Sequence, residues 1–270
     1  MAFPRQALGH LARNYACVVS DIVETLRAAG CVFAEDEAAL ILSTARSDAE
    51  VDRMVAARSE GQPLEIVLGW AELGGIQFVI SPGVFVPRRR TEYLVELARA
   101  MQPRVVLDLC CGSGAVGAAI GAEELHAADI DPVAVDCARR NVRGTVYQGD
   151  LFEPLPASLR GRVEVLTFIA PYVPSDEIDL LPREARLYEP RFTLDGGVDG
   201  LDVVRRVAAG AAEWLAPGGR VLTEVSEQQA PAVAQLFEAG GLAAQVLRDE
   251  ARYATVVLGT APGTRGGAGA

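Results

Sequence analysis

The chain has little that would announce metal or redox chemistry. Its five cysteines, Cys17, Cys31, Cys110, Cys111 and Cys137, form an odd set with no CxxC pair. That argues against a disulfide framework or a zinc cluster. The adjacent Cys110 and Cys111 are too constrained for ordinary paired ligation and read as small residues beside a strand end. There are two histidines, His10 and His126, neither in a ligand pattern, so no metal and no histidine base is assigned. No run of 18 apolar residues exists, so no membrane span is expected. The start, Met1-Ala2-Phe3-Pro4-Arg5, lacks the charged-then-apolar order of a secretory signal, which leaves the cytoplasm as the expected compartment. Positive charge is in deficit: 25 Lys+Arg against 36 Asp+Glu give a net charge of −11. Long-range electrostatics therefore oppose direct nucleic-acid binding. The clearest basic patch, Arg88-Arg89-Arg90, reads as a solvated loop, an anionic-partner contact or the rim of a substrate cleft. No GxxxxGK[ST] is present, which argues against ATP held by a P-loop.

What is there is an ordinary globular balance, 50% hydrophobic residues over a length of 270, enough for one large domain or two smaller ones. Helical spacing runs from about Gln6 to Glu60: Leu11, Tyr15, Val18-Val19, Ile22 and Leu26 share a face, and Gly30 ends that helix. Two more helices are expected over Asp36–Leu42 and Asp48–Ala57. From Pro63 the style changes. Glu65–Leu68 and Ile76–Ile80 read as short β pieces in a hairpin or connector. From about residue 103 strands and helices alternate: strands at Val105–Leu109, Leu125–Ile130, Thr145–Gln148, Val163–Ala170 and Arg220–Val225, with helices at Ala115–Ile120, Pro132–Asn141, Leu201–Leu215 and Ala230–Ala239. Two short closing strands, Gln245–Leu247 and Thr255–Gly259, suit an antiparallel pair. This alternation predicts a mostly parallel sheet covered on both faces. The expected domains are 1–62 (helical), 63–87 (a short β connector), 88–259 (α/β) and a disordered tail, 260–270.

The segment Asp108-Leu109-Cys110-Cys111-Gly112-Ser113-Gly114 takes an apolar strand sharply into a helix. Gly112 and Gly114 permit dihedrals and close approach that a Cβ would impede, and the helix start offers unpaired N–H groups. The spacing is not a clean GxGxxG, since Cys110 stands at the first glycine. The second strand ends in Asp129-Ile130-Asp131. Asp129 is placed to accept from both hydroxyls of a ribose, while Asp131, followed by Pro132, reads as a helix cap. The third strand leads to Asp150-Leu151-Phe152: Asp150 is placed to meet an adenine amino group, with Leu151 and Phe152 as an apolar wall. Carboxylates after successive strands point to a nucleoside-bearing cofactor. An acidic glycine loop suits the ammonium of S-adenosylmethionine better than the pyrophosphate of a dinucleotide, with Asp108 acting on that ammonium through water or a neighbouring backbone group.

Taken together with Gly83–Pro87 followed by Arg88, Thr91 and Glu92, with Asn141, with the run Glu189-Pro190, Gly196-Gly197, Asp199-Gly200 and Leu201-Asp202, and with Pro217-Gly218-Gly219 and Glu224, these motifs make an ordered set. From roughly residue 6 to 259 the sequence resembles the HemK/PrmC family of protein-(glutamine-N5) methyltransferases. The resemblance implies a Rossmann-like class I S-adenosylmethionine-dependent methyltransferase domain after a small N-terminal helical domain that helps recognise a release factor. It implies cofactor contacts from Arg88, Asp108, Cys110, Gly112, Gly114, Asp129, Ile130, Asp150, Leu151 and Ile169. Acceptor and catalytic contacts fall to Ile169, Ala170, Pro171 and Tyr172.

The sequence departs from that family in two places. The family usually carries Asn-Pro-Pro-Tyr after the fourth strand, its asparagine and a neighbouring backbone carbonyl holding the glutamine amide; here the run is Ile169-Ala170-Pro171-Tyr172. It also commonly has Pro-Glu where this chain has Arg89-Arg90. Ile169 cannot accept a hydrogen bond, whereas the backbone carbonyl of Ala170 can. Three readings stay open: glutamine methylation through another acceptor group, methylation of a different protein or small-molecule acceptor, and cofactor or partner binding without catalysis.

Overall fold

The computed structural model describes residues 5–263, with side-chain surroundings from residue 17 onward. The side chains of His10, Leu11 and Tyr15, and residues 264–270 of the expected tail, lie outside that set. Two compact units meet in sequence at Gly69 and Trp70.

The first unit holds α1 (Arg5–Ala28), α2 (Ala34–Thr44), α3 (Asp48–Ser59) and α4 (Leu64–Leu68). Gly30, at φ +93°, lets the chain turn after α1. Leu26, Ala34, Ala38 and Ile41 are fully buried. Ser47 caps α3 by accepting from the Glu50 N–H. Arg58 grips Glu37 with two donors, Nε at 2.7 Å and Nη2 at 3.2 Å, and ties the end of α3 through the Gln62 carbonyl at 3.0 Å. The segment Glu65–Leu68, expected as a strand, is the helix α4. A short apolar run fits either state. Here the Pro63 carbonyl accepts from Ile66 and Val67 N–H, and Gly69 closes the turn in the left-handed region.

The second unit opens with a hairpin of β1 (Trp70–Leu73) and β2 (Ile76–Val79). Gly74 and Gly75 both have positive φ, as a two-residue turn of this twist requires. There follow α5 (Glu92–Ala100), β3 (Val105–Leu109), α6 (Ala115–Ile120), β4 (Glu124–Asp129), α7 (Pro132–Asn141), β5 (Thr145–Gln148), β6 (Val163–Phe168), α8 (Arg183–Tyr188), α9 (Asp202–Trp214), β7 (Leu215–Glu224), α10 (Ala230–Ala239), β8 (Ala243–Asp249) and β9 (Ala254–Thr260). The seven-stranded sheet runs β5-β4-β3-β6-β7-β9-β8. All neighbours are parallel except the two pairs made by β9.

The order reverses between β3 and β6, so the loops after those strands diverge and leave a crevice at their carboxyl ends. Every residue of β3 is buried, as a central strand covered on both faces must be. One face packs on Val204, Val207, Trp214 and Phe237, where Phe168 meets Phe237 edge-on at 6.5 Å. The other packs on Leu94, Val116 and Ala138. Residues 260–262, expected in the tail, are held instead: Thr260 ends β9, the Ala261 N–H donates to the Gly219 carbonyl, and the Pro262 carbonyl accepts from Gly218. These bonds prolong the β7–β9 pairing beyond Arg220 and Thr260. No helix among the described residues is long and apolar enough to cross a membrane.

Candidate active site

Register brings the site residues to one level. Leu109 pairs with Ala128 and with Phe168, and Phe168 pairs with Thr223. The next residues, Cys110, Asp129, Ile169 and Glu224, therefore stand side by side at the carboxyl edge of four parallel strands. Gln148 pairs with Asp129, which brings Gly149 and Asp150 to the adjoining position.

The loop after β3 is built by its own backbone and by carboxylates. Cys110 has φ +51°, a conformation that costs a residue with a Cβ and is tolerated where the surroundings impose it. Asp129 fixes the loop: its Oδ2 accepts from the Gly112 N–H at 2.8 Å and its Oδ1 from the Asp131 N–H at 3.0 Å. Asp131 in turn caps α7 by accepting from Val133 at 3.0 Å. Burial raises the Asp129 pKa, the two backbone bonds oppose that rise, and the charge on Asp131 adds to it. A Cβ built on Gly114 would strike Val142 at 2.6 Å, while one on Gly112 meets nothing within 4 Å. The space above Gly112 is thus open, beside a half-buried carboxylate and next to Ile130, which is 61% exposed. An open cradle, a ribose-sized acceptor and an apolar wall fit an adenosyl group.

Other expected residues have partners that the sequence did not disclose. Asp108 is 2% exposed. Its Oδ2 accepts from the Gly117 N–H at 3.0 Å and its Oδ1 from the Thr167 hydroxyl at 2.9 Å, so it braces β3 against α6 and β6. Arg88 forms an ion pair with buried Glu189 and lies over Phe85, 4.8 Å from the ring centroid. Asp150 accepts from Arg206 Nη2 at 2.7 Å. Leu151 has φ +49°. Phe152, expected as a wall beside it, instead stacks on Trp214 at 5.5 Å and 9°, because the turn at Leu151 points the next side chain back toward α9. His126 hydrogen-bonds Glu124 Oε1 on its own strand and Tyr147 Oη on β5, each at 3.0 Å, and stacks on the Tyr147 ring.

Beyond Ile169, half-buried against the core, Ala170 is 4% exposed. The loop after β6 is then folded back on itself: Val173 donates to the Leu194 carbonyl at 3.0 Å and accepts from Gly196 at 2.9 Å. A Cβ at Gly200 would sit 2.2 Å from the Tyr172 carbonyl, so that close approach needs glycine. Sequence reasoning missed Gln229, whose Nε2 donates to the carbonyls of Tyr172 at 2.8 Å and Asp199 at 3.1 Å. It also missed the partners of Arg90, which donates through Nε to Glu224 at 2.6 Å and through Nη2 to the Tyr172 hydroxyl. Asn141 binds both polar groups of Val79 and the Ser113 carbonyl, tying the hairpin to the glycine loop.

Residues 92–152 match the family model described as ribosomal protein L11 methyltransferase (PrmA). The release factor glutamine methyltransferase of Geobacter sulfurreducens is 38% identical over 199 residues, covering 70% of this chain and 69% of that one. The protein of the same name from Streptomyces coelicolor is 35% identical over 204 residues, covering 70% and 72%. Among solved structures, a methyltransferase from Pyrococcus furiosus superposes with a TM-score of 0.52 at 14% identity, over 70% of this chain and 90% of that one; at that identity the likeness speaks for the fold alone.

Proposed function

The chain belongs to the release factor glutamine methyltransferase (HemK/PrmC) family, and from that premise we infer that it methylates the side-chain amide nitrogen of a glutamine in a protein, using S-adenosylmethionine. The observation that carries this for the chain's own residues is the shared level of Cys110, Asp129, Ile169 and Glu224 beside the open space over Gly112. Asp129 would hold the ribose hydroxyls, Ile130 and Leu151 would flank the adenine, and Asp150 would meet its amino group. The glycine loop braced by Asp108 would carry the methionine portion. Arg88 is assigned to that portion's carboxylate. When bound, the cofactor supplies a methyl group already activated by positive sulfur, so the chain needs no metal and no covalent nucleophile.

What remains for the protein is orientation, which supplies much of the rate in a two-reactant transfer. Pro171 stiffens the loop after β6, the Ala170 carbonyl is assigned to an acceptor N–H, and Tyr172 and Ile169 form walls. A release factor is the protein partner by family, with the helical unit proposed to recognise it and the cytoplasm proposed as the place of reaction. One observation favours a second reading, a different acceptor: Ile169 presents hydrocarbon where an amide would want a polar partner.

The test is incubation of the full chain with isotope-labelled cofactor and a purified release factor, followed by peptide mass analysis. The expected result is one added methyl on a glutamine, lost when that glutamine is replaced by alanine. Label on any other residue or on a small molecule favours the second reading. Ile169→Asn is expected to raise kcat/KM on the glutamine acceptor about tenfold, since a buried polar group gaining its partner is worth about 1–3 kcal/mol.

A further inference from the structure

A carboxamide presents one carbonyl oxygen and two N–H groups, and a site that orients it must meet both kinds. Ile169 meets neither. Within residues 169–174 the polar side chain is Tyr172, and it is held at both its hydroxyl and its backbone carbonyl. Arg90 donates through Nη2 to the phenol oxygen, with its guanidinium carbon 5.9 Å from the ring centroid. Arg90 is itself fixed by Glu224 at 2.6 Å, and the second oxygen of Glu224 receives the Thr91 hydroxyl at 2.8 Å. Glu224 is 3% exposed, so this anchor lies in the protein interior. The Tyr172 carbonyl is gripped by Gln229.

A phenol oxygen that accepts from a guanidinium still has its one proton to give, and a neighbouring cation strengthens it as a donor. Burial raises the Tyr172 pKa although the charge on Arg90 pulls the other way, so the group remains a donor at neutral pH. Burial disfavours the Arg90 charge, yet the interactions with Tyr172 and Glu224 outweigh it.

We propose that the Tyr172 hydroxyl holds the carbonyl oxygen of the acceptor carboxamide, with Arg90 as the positioning residue that sets the phenol's direction and strength as a donor. The inference rests on the glutamine reading above. Neither residue gives up a proton; their part is to hold, leaving the amide nitrogen to be aligned by backbone carbonyls of the loop after β6.

The experiment is steady-state methylation of a release factor by the full chain, with cofactor titration and thermal unfolding in parallel. Tyr172→Phe, Arg90→Lys and Ile169→Asn are made singly, and Tyr172→Phe is also combined with Ile169→Asn. Tyr172→Phe is expected to raise KM for the acceptor about tenfold, with cofactor affinity and melting temperature unchanged. Arg90→Lys keeps the charge but loses the two-pronged geometry, and falls between. Ile169→Asn, which supplies a carboxamide of its own, is expected to rescue Tyr172→Phe by a larger factor than it improves the parent. Parent-like kinetics for Tyr172→Phe, with the parent methylating glutamine, would overturn the inference and leave the function standing. An activity loss matched by loss of cofactor binding or melting temperature would overturn it too, by making Tyr172 structural. A parent inactive on every glutamine acceptor would overturn the function itself.

Discussion

Asp129→Ala is expected to weaken S-adenosylmethionine binding by about a hundredfold. A carboxylate accepting from two ribose hydroxyls makes charge-assisted bonds worth about 1.5–3 kcal/mol each, and part of that is offset by water entering the emptied space. The side chain also serves the loop, because the Gly112 and Asp131 N–H groups donate to it at 2.8 and 3.0 Å. Asp129 is only half-buried, so water can replace it as their acceptor, and the melting temperature should fall by only a few degrees. Asp129→Asn keeps one acceptor oxygen and should lose about tenfold. Titration calorimetry with the cofactor separates the three proteins. Equal affinities would remove Asp129 from the site, whereas a collapse of the fold would show its loop-bracing role to dominate.

The parts of this site that could be read from sequence are those set by local rules. The β3 loop shows because a strand with four apolar residues around Asp108 runs into two glycines, and Asp129 shows because it closes the next apolar strand. The cap at Asp131 follows from the proline after it. The parts that stayed hidden depend on topology. Arg90 lies 82 residues from Tyr172 and 134 from Glu224, and nothing local to any of them announces the other two; β6 and β7 must lie side by side before they meet. The same holds for Asp150 with Arg206. Asp108 was seen as a cofactor group because of its place at a strand end, yet pairing with Thr167 across β3 and β6 turns its oxygens to the protein. Glu65–Leu68 reads as a strand although it lies within α4, because four mostly apolar residues carry no period long enough to choose helix over strand. Tyr172 shows both sides of the limit. Its place after β6 was legible, whereas the guanidinium on its phenol was not.

Asp108→Asn is expected to change the shape of the pH–stability curve. Asp108 is pushed up from 3.8 to about 7, chiefly by burial; the bonds from Gly117 and Thr167 lower it in part, and the charge on Asp129 raises it. A carboxyl whose pKa is higher folded than unfolded binds its proton more tightly in the folded chain. Its contribution to stability is therefore complete below pH 3.8 and is lost as the pH rises through about 7. Above that the ionised group stands in the core at a cost of up to about 4 kcal/mol, taking about 1.4 kcal/mol for each pH unit between the two values. Asparagine has the same shape. Its oxygen can accept from the Gly117 N–H, and its amide can donate to Thr167, whose hydroxyl is free to rotate. It never ionises. At pH 3.5, below both values, the two proteins should therefore have nearly equal urea midpoints, and the gap should open steadily from pH 4 to 7. By pH 8 the variant should be more stable by about 2 kcal/mol, less than the ceiling because the buried carboxylate relaxes its surroundings and draws in water. Groups distant from Asp108 titrate over this range in both proteins alike, so the difference between the curves reports Asp108 and its coupling to Asp129. Parallel curves from pH 3.5 to 8 would mean that Asp108 keeps an ordinary acidity, with its negative charge already matched inside the fold.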